Sequence, residues 1–475
     1  MSLALRQTMR AREASFQGTK RRAAPPTAAE GLLLVWAALL GVQVSQDLVA
    51  RFNIAVSDLV LATLLVVVVT DARLRAKAIA LPVELSVFFA TMVAALLVGM
   101  IVDASTLGYV PTDGWLNKGV GLVVLAATVA CVRAVADTRE AIGNLLGAFL
   151  LGAVGSAAIG IALWLGSSLL GQEARFAGFL LNANAAGLYY MLGMLLLFAE
   201  FGRTRFRFPA TARIVSAILL GVTILLTFSV SALLGGLAGL GVLALGSPRR
   251  MRWPVTLALL AVLAFSLPAI GASLRPLSVE GDVFEQAAAS RTNVAEPSIL
   301  DAPLLLLGGV YSPDVIAAKG SSTFERLALD AIGIDLWTSD FGSAVFGIGL
   351  SAFPIKSGAF GGAIIHNTYL ALAVDLGLAG ILAQMVLLWY VLALALGLLR
   401  YADRSGAISL IAAFVLFLVW WAANEGLYQR SFWLLVASAS VLVDVSRRAQ
   451  GSVKHVRPIA VSTNTLLRLK APRYD

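Results

Sequence analysis

Residues 85–102 read LSVFFATMVAALLVGMIV and contain no charged side chain. At about 1.5 Å per residue, this stretch forms a helix of roughly 27 Å, close to the thickness of the hydrocarbon core of a bilayer. The composition of the 475-residue chain agrees, because 59% of its residues are hydrophobic, only 13% are charged, and its mean hydropathy is +0.87. These values exclude an ordinary soluble enzyme and a disordered chain. The sequence therefore predicts a membrane protein.

Similar apolar runs predict about twelve transmembrane helices. They lie near residues 31–49, 53–70, 79–102, 115–132, 141–170, 183–200, 212–229, 231–247, 253–272, 366–399, 407–423 and 431–446. The first run lacks a small-residue cleavage pattern and precedes further spans, so we expect an uncleaved helix and no signal peptide. The predicted fold class is an all-α, multi-pass integral membrane protein.

The positions of Lys and Arg predict the orientation of these helices. With both termini in the cytoplasm, the seven cytoplasmic segments hold 27 of the 36 basic residues, and the opposite side holds the other nine. Cytoplasmic loops are enriched in Lys and Arg, so this split favours an N-in, C-in topology. It also accounts for the net charge of +9. Nucleic-acid binding loses its support, because the basic residues are scattered over short segments and form no single patch.

This topology divides the chain into five parts. They are a basic cytoplasmic segment at 1–30, transmembrane helices one to nine at 31–272, an outer loop at 273–365, helices ten to twelve at 366–446, and a basic cytoplasmic tail at 447–475. The outer loop carries ten acidic and five basic residues and is predicted to be partly helical. A loop of this length in a compact protein is usually functional.

Cysteine and histidine are too rare to build a metal site of the usual kinds. The chain has one cysteine, Cys131, and two histidines, His366 and His455. An intramolecular disulfide is impossible, and a cluster of Cys or His ligands is not expected.

His366 is the strongest candidate for chemistry on the predicted outer side. It is the only histidine there and lies at the start of span ten, within GGAIIHNTYL at 361–370. A neutral imidazole can take a proton near neutral pH, which favours a general base. The alternative is a plain helix-start residue with Asn367 or Thr368 as the cap. Asp375 lies half a helical turn away from His366, so we expect it to have a packing role and not to orient the imidazole.

Two outer arginines are candidates for binding an anion. Arg175 precedes span six, where Asn182 or Asn184 is predicted to cap the helix, and a helix N-terminus favours phosphate. The alternative for Arg175 is an interfacial side chain that reaches lipid headgroups. Arg326 is predicted at the head of a short helix at 324–337, where the alternative is a surface pair with Asp330.

Three motifs in the same order resemble one known family. They are Arg175-x-x-Gly178-x-x-x-Asn182-x-Asn184, then Gly347-x-Gly349-x-x-x-Phe353, and then His366-Asn367-x-Tyr369-Leu370 followed by Asp375-x-Gly377-x-x-Gly380. Together with twelve spans and a large loop between spans nine and ten, they resemble the bacterial O-antigen ligase and O-antigen polymerase family. The resemblance covers about residues 31–446.

The resemblance implies a C-type glycosyltransferase-like enzyme of the bacterial inner membrane, with its active site facing the periplasm. Such enzymes need no metal or other cofactor and use an undecaprenyl-diphosphate-linked glycan as donor. Ligases transfer the glycan to lipid A–core, and polymerases transfer it to another lipid-linked glycan for O-antigen, capsule or exopolysaccharide. The sequence does not separate the two.

The resemblance also assigns roles to residues. His366 is then the base for the acceptor hydroxyl. The donor diphosphate is expected to be bound by Arg175 and Arg326, with Arg291 and Arg275 of the outer loop as weaker candidates. The residues expected to shape the site are Asn182, Asn184, Gly347, Gly349, Asn367 and Tyr369.

One position departs from the family pattern. Many members carry a Ser-Arg pair at the turn between spans seven and eight, whereas this turn reads Thr227-Phe228-Ser229-Val230-Ser231. With Val230 in place of arginine, Arg291 or Arg275 is expected to substitute. A different donor or a specialised or inactive member is the alternative.

A transporter or a lipid-linked glycan flippase is the rival class. Twelve spans with both termini inside also fit a major-facilitator transporter, but the two halves show no similarity and no long central cytoplasmic loop divides them. A flippase predicts several charged residues inside the spans, and only Asp58, Glu84 and Asp375 are clear candidates. The sequence therefore favours the enzyme.

Overall fold

The fold is known from a computed structural model. It describes residues 27–42, 55–110, 112–169, 176–180, 182–198, 208–246, 252–260, 262–263, 313–350, 352–357, 364–402 and 404–455. This part of the chain is all-helical and contains no β-strand, as predicted. The α-helices are α1 (Ala28–Ala38), α2 (Val56–Thr70), α3 (Ala72–Ile79), α4 (Val83–Leu107), α5 (Thr112–Val135), α6 (Arg139–Leu169), α7 (Ala183–Leu197), α8 (Ala210–Thr227), α9 (Val230–Gly246), α10 (Pro313–Thr338), α11 (Phe341–Phe346), α12 (Ala352–Lys356), α13 (Thr368–Tyr401), α14 (Arg404–Trp421) and α15 (Arg430–His455).

Many of these helices are apolar enough for a bilayer. Five are also long enough to cross a membrane, and their apolar parts are Val83–Ser105, Lys118–Val135, Arg139–Gly166, Ala210–Thr227 and Thr368–Tyr401. Shorter apolar helices are Ala28–Gly41, Val56–Thr70, Ala183–Leu197, Val230–Gly246 and Gly406–Trp421. This composition is that of a multi-pass helical membrane protein. The count of twelve crossings and the orientation of the chain stay predictions.

Ion pairs join α15 to two other helices, α2 and α5. Asp58 in the first turn of α2 pairs with Arg430 at the start of α15. Arg133 near the end of α5 pairs at 3.0 Å with Asp444 in the second half of α15. The starts of α2 and α15 therefore lie together, as do the later parts of α5 and α15, which is what parallel packing of the three helices requires. As predicted spans two, four and twelve, they are expected to cross the bilayer in one direction.

The α13 helix is bent at Gly377, whose φ is +58° and ψ is −140°. The loop after α11 fits into this bend, where the amide of Ile348 donates to the carbonyl of Val374 at 2.8 Å. A Cβ atom on Gly377 would collide with the carbonyl oxygen of Val345. Only glycine adopts such a conformation readily, so the bend depends on this residue.

The α10 helix begins earlier than predicted. Its first residue is Pro313, a type favoured in the first turn of a helix, and the Gly-Ser-Ser-Thr stretch at 320–323 does not interrupt it. Arg326 therefore lies inside the helix and not at its head. The second half of α10 packs on α13 through a small core that includes Leu329, Ile348, Phe353, Ile365 and Val374. This core places α10 beside the start of α13.

Candidate functional site

Four polar residues meet where α10 passes the start of α13. We call them the His366 cluster, and they are Arg326, Asp330, His366 and Asn367. Arg326 and Asp330 stand one helical turn apart on α10, and His366 and Asn367 directly precede α13. The guanidinium of Arg326 donates to the backbone carbonyl of Ala423 at 2.9 Å, which fixes it against the segment between α14 and α15. The structure thus brings together two of the residues that the sequence singled out for chemistry.

The surroundings of His366 keep its imidazole neutral. Burial is the larger cause and the positive charge of Arg326 is the second, and together they lower the pKa of His366 to about 4. Both disfavour the protonated form, one by removing water and the other by repulsion. At neutral pH the ring therefore has a nitrogen that can accept a proton.

Asn367 has two partners that fix the entry to α13. Its side-chain oxygen accepts from the amides of Tyr369 and Leu370 at 3.0 and 3.3 Å, so Asn367 is the helix cap. Its side chain also lies close enough to the carboxylate of Asp330 to lower the pKa of that group. Of the two caps that the sequence allowed, the structure selects Asn367, and it connects that cap to α10.

The turn at 227–231, between α8 and α9, lies near this cluster. Ser231, one residue after Val230, accepts a 2.7 Å hydrogen bond from the side chain of Asn424. The hydroxyl of Thr368 donates to the backbone carbonyl of Asn424 at 2.5 Å and accepts from the amide of Gly426 at 2.8 Å. The turn between α8 and α9 is therefore joined through Asn424 to the first residue of α13.

The Asn182–Asn184 motif packs against the same turn. Asn182 caps α7, because its side chain accepts from the amides of Asn184 and Ala185 at 2.8 and 3.3 Å. Asn184 is 7% exposed, and its side-chain oxygen has no hydrogen-bond partner within the described residues. A Cβ atom on Gly187 would touch Ser229. The family-like motif of α7 and the 227–231 turn are therefore neighbours.

Gly347 and Gly349 have a steric role in the structure. Their φ angles are +79° and +103°, which favour glycine. Added Cβ atoms would collide with the backbone of Asp375 and with the carboxylate of Asp103. Gly347 thus allows the loop after α11 to lie directly on α13, and Gly349 allows the same loop to lie against Asp103 of α4.

Tyr369 also has a structural role. Its hydroxyl donates to the carbonyl of Leu418 at 2.8 Å, and its ring packs on Trp421. These contacts join the start of α13 to α14. They favour a supporting role for Tyr369 over direct contact with a substrate.

Three of the predicted diphosphate-binding residues, Arg175, Arg275 and Arg291, lie outside the residues that the structure describes. Arg326 is the only one of the four whose surroundings are known. No group of three or more His, Cys, Asp or Glu side chains suited to hold a metal occurs within the described ranges.

A buried ion pair below the start of α13 was not predicted. Lys118 of α5 pairs with Asp375, and their side chains are only 22% and 10% exposed. Beside them lies a cavity of about 10 Å³, room for about one water, which Thr368, Glu425 and Tyr428 also line. The sequence signal was the carboxylate inside a predicted span, since such a group usually has a partner.

A comparison of the chain with protein-family models and with curated proteins gives no match. The resemblance to O-antigen ligases and polymerases therefore rests on the motifs and on the helical architecture.

Proposed function

We propose that the protein transfers a glycan from an undecaprenyl-diphosphate-linked donor to a hydroxyl of an acceptor sugar on the outer side of the bacterial inner membrane. The observation that carries the proposal is the neutral, half-buried imidazole of His366 beside the guanidinium of Arg326. A base for a hydroxyl and a cation for a diphosphate are what this transfer requires.

The reaction balances without a metal. His366 takes the proton of the acceptor hydroxyl as its oxygen attacks the anomeric carbon, and the bond from that carbon to the diphosphate oxygen breaks. Undecaprenyl diphosphate leaves with the electron pair, and guanidinium groups stabilise its charge through paired hydrogen bonds. The bond from Arg326 to the backbone carbonyl of Ala423 holds the guanidinium in place beside His366.

The pKa of His366 is suited to a site that binds a diphosphate. A pKa of about 4 makes the free imidazole a weak base. The negative charge of a bound diphosphate opposes the charge of Arg326 and so raises this pKa towards neutrality. The base would then strengthen when the donor is in place.

The preferred acceptor is lipid A–core, as in ligases, and the alternative is a second lipid-linked glycan, as in polymerases. Support for the family comes from the place where its motifs meet, since the Asn182–Asn184 segment, the 227–231 turn and the His366 cluster are joined by contacts. Arg175 is proposed as a second cation for the donor. With Val230 in the turn, Arg291 or Arg275 is proposed as the third.

A transporter or flippase is the second candidate, and the Lys118–Asp375 pair beside the bend of α13 favours it. Buried charges next to interrupted helices occur at the substrate sites of many transporters. Such a protein would move lipid-linked glycan across the bilayer without changing its covalent structure.

The test is transfer by the purified full-length protein in lipid vesicles. A synthetic undecaprenyl-diphosphate-linked disaccharide serves as donor, lipid A–core or a second lipid-linked disaccharide serves as acceptor, and product is measured by mass spectrometry. We expect His366→Ala to reduce the rate by about 10²- to 10⁴-fold because the general base is lost. The matched control is His455→Ala, which changes the other histidine of the chain.

Transfer to lipid A–core indicates a ligase, and transfer to the second lipid-linked disaccharide indicates a polymerase. Normal transfer by a folded His366→Ala protein would show that His366 is not the general base. Movement of the donor lipid across the vesicle membrane without any new glycosidic bond would favour the flippase.

A further inference from the structure

One carboxylate oxygen of Asp330 has no hydrogen-bond partner in the part of the chain that the structure describes. This oxygen is Oδ1, and it is buried. The side chain of Asn367 and the guanidinium of Arg326 both lie close enough to the carboxylate to lower its pKa. Burial is the largest influence on this carboxylate and raises its pKa above the ordinary value.

A buried acceptor of this kind needs a donor. Most buried polar atoms in folded proteins are hydrogen-bonded, and one that is left unpaired destabilises the fold by its full cost of desolvation. A ligand hydroxyl that donates a hydrogen bond to Oδ1 of Asp330 would satisfy this atom.

The chemistry of the neighbours identifies the ligand. A diphosphate is excluded at Oδ1, because a carboxylate repels it and neither group can donate. A sugar hydroxyl is neutral and can donate. Asn367 directly follows His366 and lies beside Asp330. A sugar hydroxyl at Asp330 therefore belongs to the molecule that presents a hydroxyl to His366. That molecule is the acceptor.

We propose that Asp330 binds the acceptor sugar, with Oδ1 accepting a hydrogen bond from a hydroxyl close to the one that His366 deprotonates. This inference rests on the proposed function and adds a recognition residue for the acceptor. It makes α10 a helix with two tasks, since Arg326 is assigned to the donor and Asp330, one turn later, to the acceptor.

The experiment measures initial rates of the full-length protein in vesicles at varied concentrations of each substrate. The donor is the synthetic undecaprenyl-diphosphate-linked disaccharide, and the acceptor is whichever of the two substrates the wild-type protein uses. We expect Asp330→Asn to raise the acceptor KM by about tenfold or more, because a hydrogen bond to a charged group is lost. The donor KM and kcat should change by less than about threefold.

Asp335→Asn is the matched control, because Asp335 lies on the same helix and is exposed. It should leave all three constants unchanged. Asparagine has nearly the same shape as aspartate, and the cap of α13 is made by Asn367 with the amides of Tyr369 and Leu370, so the cap is retained. If Asp330→Asn does not fold, Asp330→Ser replaces it, since serine is also polar and uncharged.

A second measurement uses acceptors that lack one hydroxyl each. At least one such acceptor should have a raised KM with the wild-type protein and no further increase with Asp330→Asn. An unchanged acceptor KM in Asp330→Asn, or a change confined to the donor KM, would overturn the assignment. If the wild-type protein forms no glycosidic bond with either acceptor, the proposed function itself is wrong.

Discussion

At the scale of single residues, the charge of Arg326 controls the proton affinity of His366. Burial alone lowers the pKa of an imidazole, and Arg326 lowers it further. We therefore predict that Arg326→Gln raises the pKa of His366 from about 4 towards 6.5 without reaching it, because burial remains. The measurement is an NMR titration of the imidazole in a His455→Gln background, which leaves one histidine signal.

The same pKa sets the pH dependence of transfer. The base is active when deprotonated, and kcat/KM reports the free protein, so kcat/KM should be level between pH 6 and 8 and fall only as the pH approaches about 4. The acid limb of kcat should lie at a higher pH, because the bound diphosphate raises the pKa of His366. The acid limb should move to higher pH in Arg326→Gln, together with weaker donor binding. An NMR titration of His366 that is identical in the wild-type and Arg326→Gln proteins would show that the charge of Arg326 does not lower the pKa of His366.

The sequence identified His366 and Arg326 because their residue types and family-like positions carry the chemistry. It did not identify Asp330 as part of the site, because spacing on α10 suggested only a surface pair with Arg326. The relevant partner of Asp330 is Asn367, on another element. Contacts between segments distant in sequence have no local signal.

At the scale of elements, the bend of α13 controls the shape of the site. We predict that Gly377→Ala lowers the free energy of unfolding by about 1–3 kcal/mol, because a Cβ atom there is strained by the positive φ and meets the carbonyl of Val345. Transfer should fall with it, since the loop after α11 docks in the bend. The thermal unfolding midpoint in detergent and the transfer rate are the measurements.

Gly155→Ala is the control for this change. Gly155 is an exposed residue of α6, and an added Cβ would meet nothing within 4 Å. It should leave stability and transfer nearly unchanged. Equal stability of the two variants would mean that the bend does not require glycine.

The elements were largely predictable, because apolar runs set where helices form. Helices α1 to α15 overlap eleven of the twelve predicted stretches, including α8 and α9, which only Phe228 and Ser229 separate, and helical residues 252–260 lie in the remaining one, 253–272. The bend at Gly377 was not predicted, because the sequence around it reads as a continuous apolar helix. The bend accompanies a contact with the loop after α11, in which the amide of Ile348 donates a hydrogen bond to the carbonyl of Val374.

At the scale of the whole molecule, ion pairs at both ends of the helices are consistent with the predicted direction in which each helix crosses the membrane. Lys77 on α3 pairs at 2.7 Å with Asp137, which follows α5. This contact joins the segments after α2 and α5, whereas Asp58 and Arg430 join the starts of α2 and α15. The segments after α2 and α5 are predicted to be cytoplasmic, and both are rich in basic residues. These contacts are therefore consistent with α2, α5 and α15 as spans two, four and twelve, which are predicted to cross the membrane in the same direction.

The last prediction tests this topology in cells. In a Cys131→Ser background, single cysteines at positions 75 and 250 should react with a membrane-impermeant maleimide only after lysis, because both lie in predicted basic cytoplasmic segments. Cysteines at positions 110 and 300 should react in intact spheroplasts. The position that decides most is 300, in the acidic loop that leads to α10. Labelling of residue 300 only after lysis would put the His366 cluster on the cytoplasmic side, where transfer on the periplasmic face cannot occur.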